Sequence, residues 1–235
     1  MPKLRIAEIF TSIQGEGIWA GVPSTFVRVS GCNLRCRWCD TPYASFRPEG
    51  PSLELDEVVR QVAEAGVKHV VLTGGEPMLF DPIETLIGDL KERGHTITIE
   101  TAGTVFREFP CDLMSISPKL ANSTPTDEEA GEGWRDRHEK TRLDRAPLRR
   151  LMGAYDCQIK FVVDPEQGLV DLAEIDELLA ELPSIEPSRV LLMPEGTDVE
   201  TLHRREQLLI PICQERGWRL CPRLHIQWFG NTRGT

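Results

Sequence analysis

The pattern of hydrophobic and polar positions predicts β-strands in two early segments of the chain. Residues 4–10 alternate between apolar and polar side chains, and residues 24–30 are rich in β-branched and aromatic side chains, patterns typical of extended backbone. The polar loop Gln14-Gly15-Glu16-Gly17 lies between these two strands.

Two further segments carry apolar residues at the spacing of a helix. Residues 56–65 keep this spacing, and Gly66 is placed to end the helix. In the second segment, Asp81-Pro82 supplies an N-cap and a first-turn proline, a stripe from Ile83 to Leu90 follows, and Gly94 is placed as a C-cap. This second segment is the clearest helix in the sequence.

Short apolar runs and helical patterns alternate through the rest of the chain. The runs predict strands over residues 69–72, 96–99, 113–117, 158–163 and 190–192, and the helical patterns cover residues 171–182 and 199–216, the latter kinked at Pro211. Strands that alternate with helices imply right-handed βαβ units around a parallel sheet, and hence an α/β barrel or partial barrel. Eight clean units are not visible.

Residues 121–150 interrupt this alternation with a polar, charge-dense stretch that contains Trp134. We expect an insertion that forms a solvated flap with some helix late in it, and not a second domain. At 235 residues and 40% hydrophobic, the chain has the size of one α/β domain over residues 1–235.

Charge and hydropathy narrow the possible functions. The net charge of −10 argues against nucleic-acid binding, which usually leaves a basic surface, and favours a small-molecule substrate or a protein partner. No stretch approaches the roughly 18 apolar residues of a membrane span, and the N-terminus lacks a signal segment. We therefore expect a cytoplasmic protein with no membrane or nucleic-acid partner.

Polar and glycine-containing groups follow four of the predicted strands. They are Thr73-Gly74-Gly75-Glu76-Pro77, Glu100-Thr101-Ala102-Gly103, Ser117-Pro118-Lys119 and Met193-Pro194-Glu195-Gly196. Because active sites of barrel-like α/β folds lie at the carboxyl ends of the strands, these groups should share one face.

Three of the seven cysteines fall within eight residues. Cys32, Cys36 and Cys39 have C-x3-C-x2-C spacing, which lets one loop wrap three thiolates around a small inorganic core. The other cysteines show no pairing pattern, so a reducing compartment with a metal site fits better than disulfides. They are Cys111, Cys157, Cys213 and Cys221.

A site with three cysteine ligands leaves one position open. A structural zinc site normally has four protein ligands, and no fourth cysteine or histidine follows at zinc-finger spacing. An iron-sulfur cluster held by three thiolates leaves one iron free for an exchangeable ligand. The alternatives are a zinc site with a remote fourth ligand and unrelated core cysteines.

The C-x3-C-x-aromatic-C pattern, in which Trp38 is the aromatic residue, resembles the radical S-adenosylmethionine (SAM) superfamily. The resemblance implies a modified, partial TIM-type (β/α)6 barrel. It also implies a [4Fe-4S] cluster whose open iron binds SAM and whose electron cleaves SAM to a 5′-deoxyadenosyl radical.

Five motifs together resemble the 7-carboxy-7-deazaguanine synthase family over about residues 6–230. They are Gln14-Gly15-Glu16-Gly17, Cys39-Asp40-Thr41, Thr73-Gly74-Gly75-Glu76-Pro77, Glu100-Thr101-Ala102-Gly103 and Ser117-Pro118-Lys119-Leu120-Ala121-Asn122-Ser123. The resemblance implies a lyase of queuosine biosynthesis that converts 6-carboxy-5,6,7,8-tetrahydropterin to 7-carboxy-7-deazaguanine with loss of ammonia. It further implies a homodimer and an electron donor such as flavodoxin or ferredoxin.

The same resemblance assigns the SAM site. The implied residues are Trp38, Cys39, Asp40, Gly75, Glu76, Glu100, Ser117, Pro118, Lys119, Gln158 and Lys160. Alternatives remain open: Gly74-Gly75-Glu76 as a plain strand-to-helix turn, Lys119 as a solvated charge, and Gln158 and Lys160 as buried polar residues of a strand.

The resemblance also assigns a pterin site and a magnesium ligand. The pterin residues are Ile13, Gln14, Gly15, Glu16, Arg28, Thr73 and His225, and the magnesium ligand is Thr41. Gln14 and Glu16 can read the amide and amine edges of a pterin, and the planar Arg28 guanidinium can bind its carboxylate. The alternatives are a plain turn, a salt bridge for Arg28, a turn-opening Thr41 and a structural His225. A tail over residues 223–235 is expected to close over the site.

Two other functions compete with this interpretation. A glycyl-radical-enzyme activase is also a small radical SAM protein, but it gives no reason for Gln14-Gly15-Glu16 and Arg28. A non-catalytic zinc-binding module is the third hypothesis.

Overall fold

Nine β-strands in the described part of the chain form one sheet. The computed structural model describes residues 2–168 and 170–235. The strands are β1 (Lys3–Ile13), β2 (Pro23–Val29), β3 (Ser52–Glu54), β4 (His69–Gly74), β5 (Thr96–Thr101), β6 (Leu113–Ile116), β7 (Cys157–Val163), β8 (Val190–Pro194) and β9 (Arg219–Leu220). Their order in the sheet is β3-β1-β2-β4-β5-β6-β7-β8-β9.

The sheet is parallel from β2 to β9, while β1 pairs antiparallel with β2 and β3. Arg28 of β2 lies opposite Thr73 of β4, so side chains from two strand ends are brought together by register. The six longer parallel strands, β2 and β4 to β8, confirm the predicted α/β fold with a partial barrel.

Eight α-helices accompany the strands in the described residues. They are α1 (Leu55–Glu64), α2 (Pro82–Glu92), α3 (Asp127–Ala130), α4 (Trp134–Arg142), α5 (Ala146–Ala154), α6 (Val170–Glu181), α7 (Val199–Arg216) and α8 (Leu224–Phe229). Helices α2, α6 and α7 connect successive parallel strands, as predicted. The connection between β5 and β6 is a loop, and α7 continues through Pro211.

The apolar stripes of the predicted helices form the core. Ile83, Leu86 and Leu90 of α2 are fully buried, together with apolar residues of the strands. Strand β7 is buried along its whole length, with Ile159 and Phe161 in this core. Because successive side chains of a strand point to opposite faces, Gln158 and Lys160 point away from that core.

Asp81 occupies the predicted N-cap position of α2, which begins at Pro82, but its side chain does not make the capping hydrogen bond. Instead, the carboxylate accepts a hydrogen bond of 2.5 Å from Nη2 of Arg107. A guanidinium is a stronger partner for a carboxylate than a backbone amide, because both groups are charged.

The insertion at residues 121–150 contains more helix than predicted, and part of it packs against the domain, although most of its residues are exposed as expected. It contains α3, α4 and most of α5, and His138 and Arg142 of α4 are buried. Arg142 pairs with Glu139 at 2.5 Å and with Glu174 of α6 at 2.7 Å. The charge density of this segment therefore serves partly to fix it onto the domain.

Candidate active site

A cavity of about 320 Å³ lies at the carboxyl ends of the parallel strands. Its wall includes Thr73 at the end of β4, Thr101 at the end of β5 and Ser117 just after β6. The predicted site residues in this wall are Ile13, Gln14, Gly15, Glu16, Arg28, Cys32, Cys36, Trp38, Cys39, Asp40, Thr41, Thr73, Gly75, Glu100, Ser117, Lys119, Lys160 and His225. The fold thus brings residues from 13 to 225 into one place.

Glu76, Pro118 and Gln158 are outside the cavity wall as the structure describes it. Glu76 is fully buried, and its carboxylate accepts hydrogen bonds from the Ala102 amide at 2.8 Å and the Thr101 hydroxyl at 2.8 Å. Burial raises the pKa of Glu76, although these donors oppose the shift. Its carboxylate therefore joins the ends of β4 and β5 rather than facing the cavity.

Gln158 supports the loop that precedes β2. Its side-chain oxygen accepts a hydrogen bond of 2.8 Å from the Ile18 amide, and its nitrogen donates to Ser115 Oγ at 2.7 Å. Gly17 has a φ of 77° and lies against the Gln158 amide, where a side chain would not fit. Gln158 thus fixes the end of the Gln14-Gly15-Glu16-Gly17 loop through these contacts with Gly17 and Ile18.

The three cysteines of the loop are suited to binding iron. Burial raises the pKa of Cys32 to about 12 and also raises the pKa of Cys36. A buried thiol gives up its proton readily only when a cation replaces it, as a metal does. The Leu34 amide approaches Cys32 Sγ at 3.4 Å, and the Ser45 hydroxyl lies 3.2 Å from Cys39 Sγ, so donors that tune cluster sulfurs are present.

The cysteine loop is anchored on both sides. The Gly31 amide donates to the Ala44 carbonyl at 2.7 Å, and the Glu76 amide donates to the Gly31 carbonyl at 2.9 Å. From the insertion, His138 Nδ1 accepts from the Arg35 amide at 3.1 Å. The insertion therefore packs against the cysteine loop and limits its freedom.

The described residues contain no set of side chains that would serve as ligands of a single zinc ion. In residues 2–168 and 170–235, no group of three or more histidine, cysteine, aspartate or glutamate side chains could hold a single metal ion. The thiolates of a four-iron cluster bind different irons, so they need not converge on one point. Three cysteines around one cavity fit a cluster better than a single ion.

Trp38, Ser117 and Lys119 form one side of the cavity beside the cysteine loop. Lys119 Nζ donates to the Ser117 carbonyl at 2.7 Å and to its hydroxyl at 2.9 Å, and it lies 5.6 Å from the centre of the Trp38 ring. The Trp38 indole nitrogen donates to Asn122 Oδ1 at 3.2 Å. A fixed ammonium beside a flat ring can receive the carboxylate and the base of one ligand.

Gln14, Thr73 and Glu100 form a second polar group in the same cavity. Glu100 accepts hydrogen bonds from Thr73 Oγ1 at 2.7 Å and from Gln14 Nε2 at 3.3 Å. The Gln14 side-chain oxygen in turn accepts from the Glu16 amide at 3.1 Å. Glu100, predicted for SAM, thus contacts two residues predicted for the pterin.

Glu16 lies among three basic groups. It pairs with Lys160 Nζ, accepts from Arg223 Nε at 3.3 Å and lies 4.0 Å from His225 Nε2. Burial by itself would raise the pKa of Glu16, but the charges of Lys160 and Arg223 outweigh it and hold the pKa below its ordinary value. Glu16 is therefore an ionised acceptor at neutral pH.

The tail packs directly onto the loop that carries Glu16. The Leu224 amide donates to the Gly15 carbonyl at 3.1 Å. A Cβ at Gly15 would lie 2.8 Å from the His225 backbone nitrogen, so only glycine permits this approach. Residues 231–235 also line the cavity, which places much of the expected tail at the site.

Arg28 is already paired with an acid that the sequence interpretation missed. Its Nε donates to Glu8 Oε1 at 2.7 Å, and the Tyr43 hydroxyl donates to the same oxygen at 2.6 Å. Arg233 of the tail stacks on Tyr43, with its guanidinium 3.8 Å from the ring centre. The predicted salt-bridge alternative for Arg28 is thus present, and it also orients the guanidinium.

Four site residues carried no local signal that would have identified them. Glu8 lies in an alternating strand, Tyr43 lies in a short 3-10 helix over Pro42–Ala44, and Arg223 and Arg233 lie outside helices and strands. Arg223 could have been noticed only through its closeness to His225 in sequence. All four are brought to the cavity by long-range packing.

Comparison with known proteins agrees with this geometry. The radical SAM superfamily model matches residues 26–124. A 7-carboxy-7-deazaguanine synthase from Rhodopirellula baltica is 46% identical over 99% of this chain and 89% of its own length, and one from Halobacterium salinarum is 45% identical over 96% and 90%. The chain belongs to the 7-carboxy-7-deazaguanine synthase family.

A solved structure supports the family assignment. The crystal structure of QueE from Escherichia coli is 28% identical, with a TM-score of 0.66 over 93% of each chain. Members of this radical SAM family are lyases that use a [4Fe-4S] cluster and SAM, and the cysteine loop of this chain fits that cofactor pair. None of the helices in the described residues is long and apolar enough to cross a membrane.

Proposed function

We propose that this protein converts 6-carboxy-5,6,7,8-tetrahydropterin to 7-carboxy-7-deazaguanine with loss of ammonia, a radical SAM lyase step of queuosine biosynthesis. The observation that carries the proposal is a single cavity that contains the three-cysteine loop together with Gln14, Glu16 and Arg28. The activase alternative is not favoured, because it requires none of these polar groups.

Cys32, Cys36 and Cys39 would hold the cluster. When bound, the cluster and SAM supply the radical that abstracts hydrogen from the substrate. Trp38, Asp40, Gly75, Ser117 and Lys119 are the residues we propose for SAM. Lys119 is held by Ser117, which suits it to a carboxylate, and Gly75 allows close approach of the backbone.

The pterin would be read by groups that the fold has already oriented. Glu16 is ionised and accepts hydrogen bonds, so it suits the amine and ring N–H groups of a pterin. Gln14 and Thr73 share Glu100 as a common acceptor, which directs their remaining polar atoms. We propose that Glu100 and Lys160 act here by orienting Thr73, Gln14 and Glu16.

Arg28 would bind the substrate carboxylate. Its Nε already donates to Glu8, so the two terminal nitrogens of the guanidinium would donate to the substrate carboxylate. Burial would lower the pKa of Arg28, but Tyr43 and Glu8 outweigh burial and raise it, so the guanidinium stays charged. His225 of the tail would complete the substrate site.

Magnesium beside the substrate is part of the proposal, with Thr41 as its protein ligand. Thr41 lines the cavity directly after the cysteine loop. Magnesium binds oxygen and often takes only one or two protein ligands, so one hydroxyl and a substrate carboxylate form a plausible shell. We also propose a cytoplasmic homodimer that receives its electron from a flavodoxin or ferredoxin, by analogy with the family.

Replacing Thr41 by Val tests the metal ligand. We expect the magnesium concentration for half-maximal activity to rise at least about tenfold, the scale for a weakened metal site, while iron content stays unchanged. Thr41→Ser keeps the hydroxyl and should stay near wild type. Equal magnesium dependence in Thr41→Val and wild type would remove Thr41 from the metal shell.

The reaction itself is tested with anaerobically reconstituted protein. SAM, a reductant, magnesium and the carboxypterin should yield 7-carboxy-7-deazaguanine and ammonia, detected by mass spectrometry and an ammonia assay. Formation of 5′-deoxyadenosine without any deazaguanine would contradict the proposal, because it would indicate a radical SAM enzyme with another substrate.

A further inference from the structure

Arg223 lies buried between the loop that carries Glu16 and the loop that carries Asp40. Its Nε donates to Glu16 at 3.3 Å, its Nη1 donates to the Gly196 carbonyl at 2.6 Å, and its Nη2 donates to Asp40. Only 7% of the side chain is exposed. Three nitrogens of one guanidinium therefore hold three separate segments of the chain.

The two carboxylates share Arg223 but differ in their other contacts. Glu16 also pairs with Lys160, whereas Asp40 takes its side-chain hydrogen bond from Arg223. Within residues 2–168 and 170–235, Arg223 is the residue that hydrogen-bonds both acids. A planar guanidinium can do this with good geometry at each acid, which the single ammonium of a lysine cannot.

The backbone next to Arg223 leaves its side chain little freedom. The following amide, of Leu224, donates to the Gly15 carbonyl at 3.1 Å, so the tail is clamped to the Glu16 loop at this point. A displacement of either loop must therefore move the guanidinium or break a charged hydrogen bond. Such a contact has the properties of a rigid link between the two loops.

We infer that Arg223 is a positioning residue that couples the two halves of the site, so that SAM beside Asp40 and pterin beside Glu16 strengthen each other's binding. The inference rests on the proposed function, which assigns Asp40 to SAM and Glu16 to the pterin. A ligand that orders one loop holds the guanidinium, which in turn holds the acid on the other loop. The second ligand then has less ordering left to do.

The coupling is measured as a ratio of dissociation constants. Carboxypterin is titrated into reconstituted protein whose cluster is kept oxidised, with and without saturating SAM, so that no turnover occurs. We expect SAM to tighten pterin binding about tenfold in wild type, within the usual range of about 5- to 150-fold. Reciprocity requires pterin to tighten SAM binding by the same factor.

Variants of Arg223 should lose this factor. Arg223→Met is expected to bring it to about one. Arg223→Lys keeps the charge but places all its donors on one nitrogen, so it cannot reach the three segments held by Nε, Nη1 and Nη2 and should lose most of the factor. Arg219→Met is the matched control, because Arg219 is exposed and lies four residues away on β9. This control should keep the full factor.

The outcomes separate the inference from the proposed function. A folded Arg223→Met that keeps the tenfold factor, or a wild type with a factor of one, overturns the inference. If wild type forms product but SAM does not tighten pterin binding, the inference is overturned and the proposed function stands. If wild type does not bind pterin, the inference and the proposed function are both overturned. If Arg223→Met does not fold, Arg223→Lys, which keeps the buried positive charge, is measured in its place, and a folded Arg223→Lys that keeps the full factor overturns the inference.

Discussion

Replacing Cys36 by Ala is expected to abolish the iron-sulfur cluster and the activity together. Cys36 is the buried cysteine of the loop, and its removal leaves two thiolates for a cluster that needs three. No remaining cysteine in the cavity wall of the described residues could replace it. Iron content and the visible absorption of anaerobic protein measure the first loss, and deazaguanine formation measures the second.

Two further variants test whether loss of the Cys36 thiolate causes the loss of the cluster. Cys111→Ala removes a cysteine outside the described cavity wall and should retain cluster and activity. Cys36→Ser keeps the size of the side chain but replaces the sulfur, so it should bind markedly less iron than wild type. A full complement of iron in Cys36→Ala would show that the cluster is held elsewhere.

Replacing Gly75 by Ala is expected to destabilise the protein by about 3 kcal/mol, the upper part of the range for overpacking. A methyl group at Gly75 would overlap the Gly31 carbonyl oxygen and lie 2.7 Å from that of Ala44. Both obstacles are backbone atoms, so the methyl group can be accommodated only by parting β4 from the cysteine loop. Urea unfolding of cluster-free protein measures the stability, and iron content measures the loop.

Gly88→Ala is the matched control for Gly75→Ala. Gly88 lies in helix α2, and an added methyl group would meet no described atom within 4 Å. Alanine favours a helix over glycine, so this variant should be more stable than wild type by about 0.4–1 kcal/mol. If the two variants had the same stability, steric overlap at Gly75 would not be its structural role.

Several residues predicted to bind SAM or pterin are instead paired with other side chains of the cavity. Lys160 pairs with Glu16, Glu100 accepts from Thr73 and Gln14, and Arg28 pairs with Glu8. A buried charge without a partner is costly, so each acid is met by a donor from another strand. These charged groups therefore already have partners within the protein.

Within the insertion at residues 121–150, hydrophobic periodicity does not predict the structure that forms. Helix α4 (Trp134–Arg142) is almost wholly polar, and only His138 and Arg142 are buried in it. Because there is no apolar stripe, periodicity could not identify this helix or its contact with Arg35. Helices α1 and α2 were predictable because each has an apolar stripe whose residues are buried.

Local patterns in the sequence predicted the three-cysteine loop and the α/β class, and the family resemblance of its motifs implied the cofactors. Three cysteines within eight residues must lie in one loop whatever surrounds them, and alternating strands and helices leave few topologies. The tertiary structure alone decided which polar groups meet. Arg223 reaches Asp40 and Glu16 across 183 and 207 residues, and Glu76 turns into the protein instead of the cavity. Such contacts depend on how strands pack and register, which no local pattern encodes.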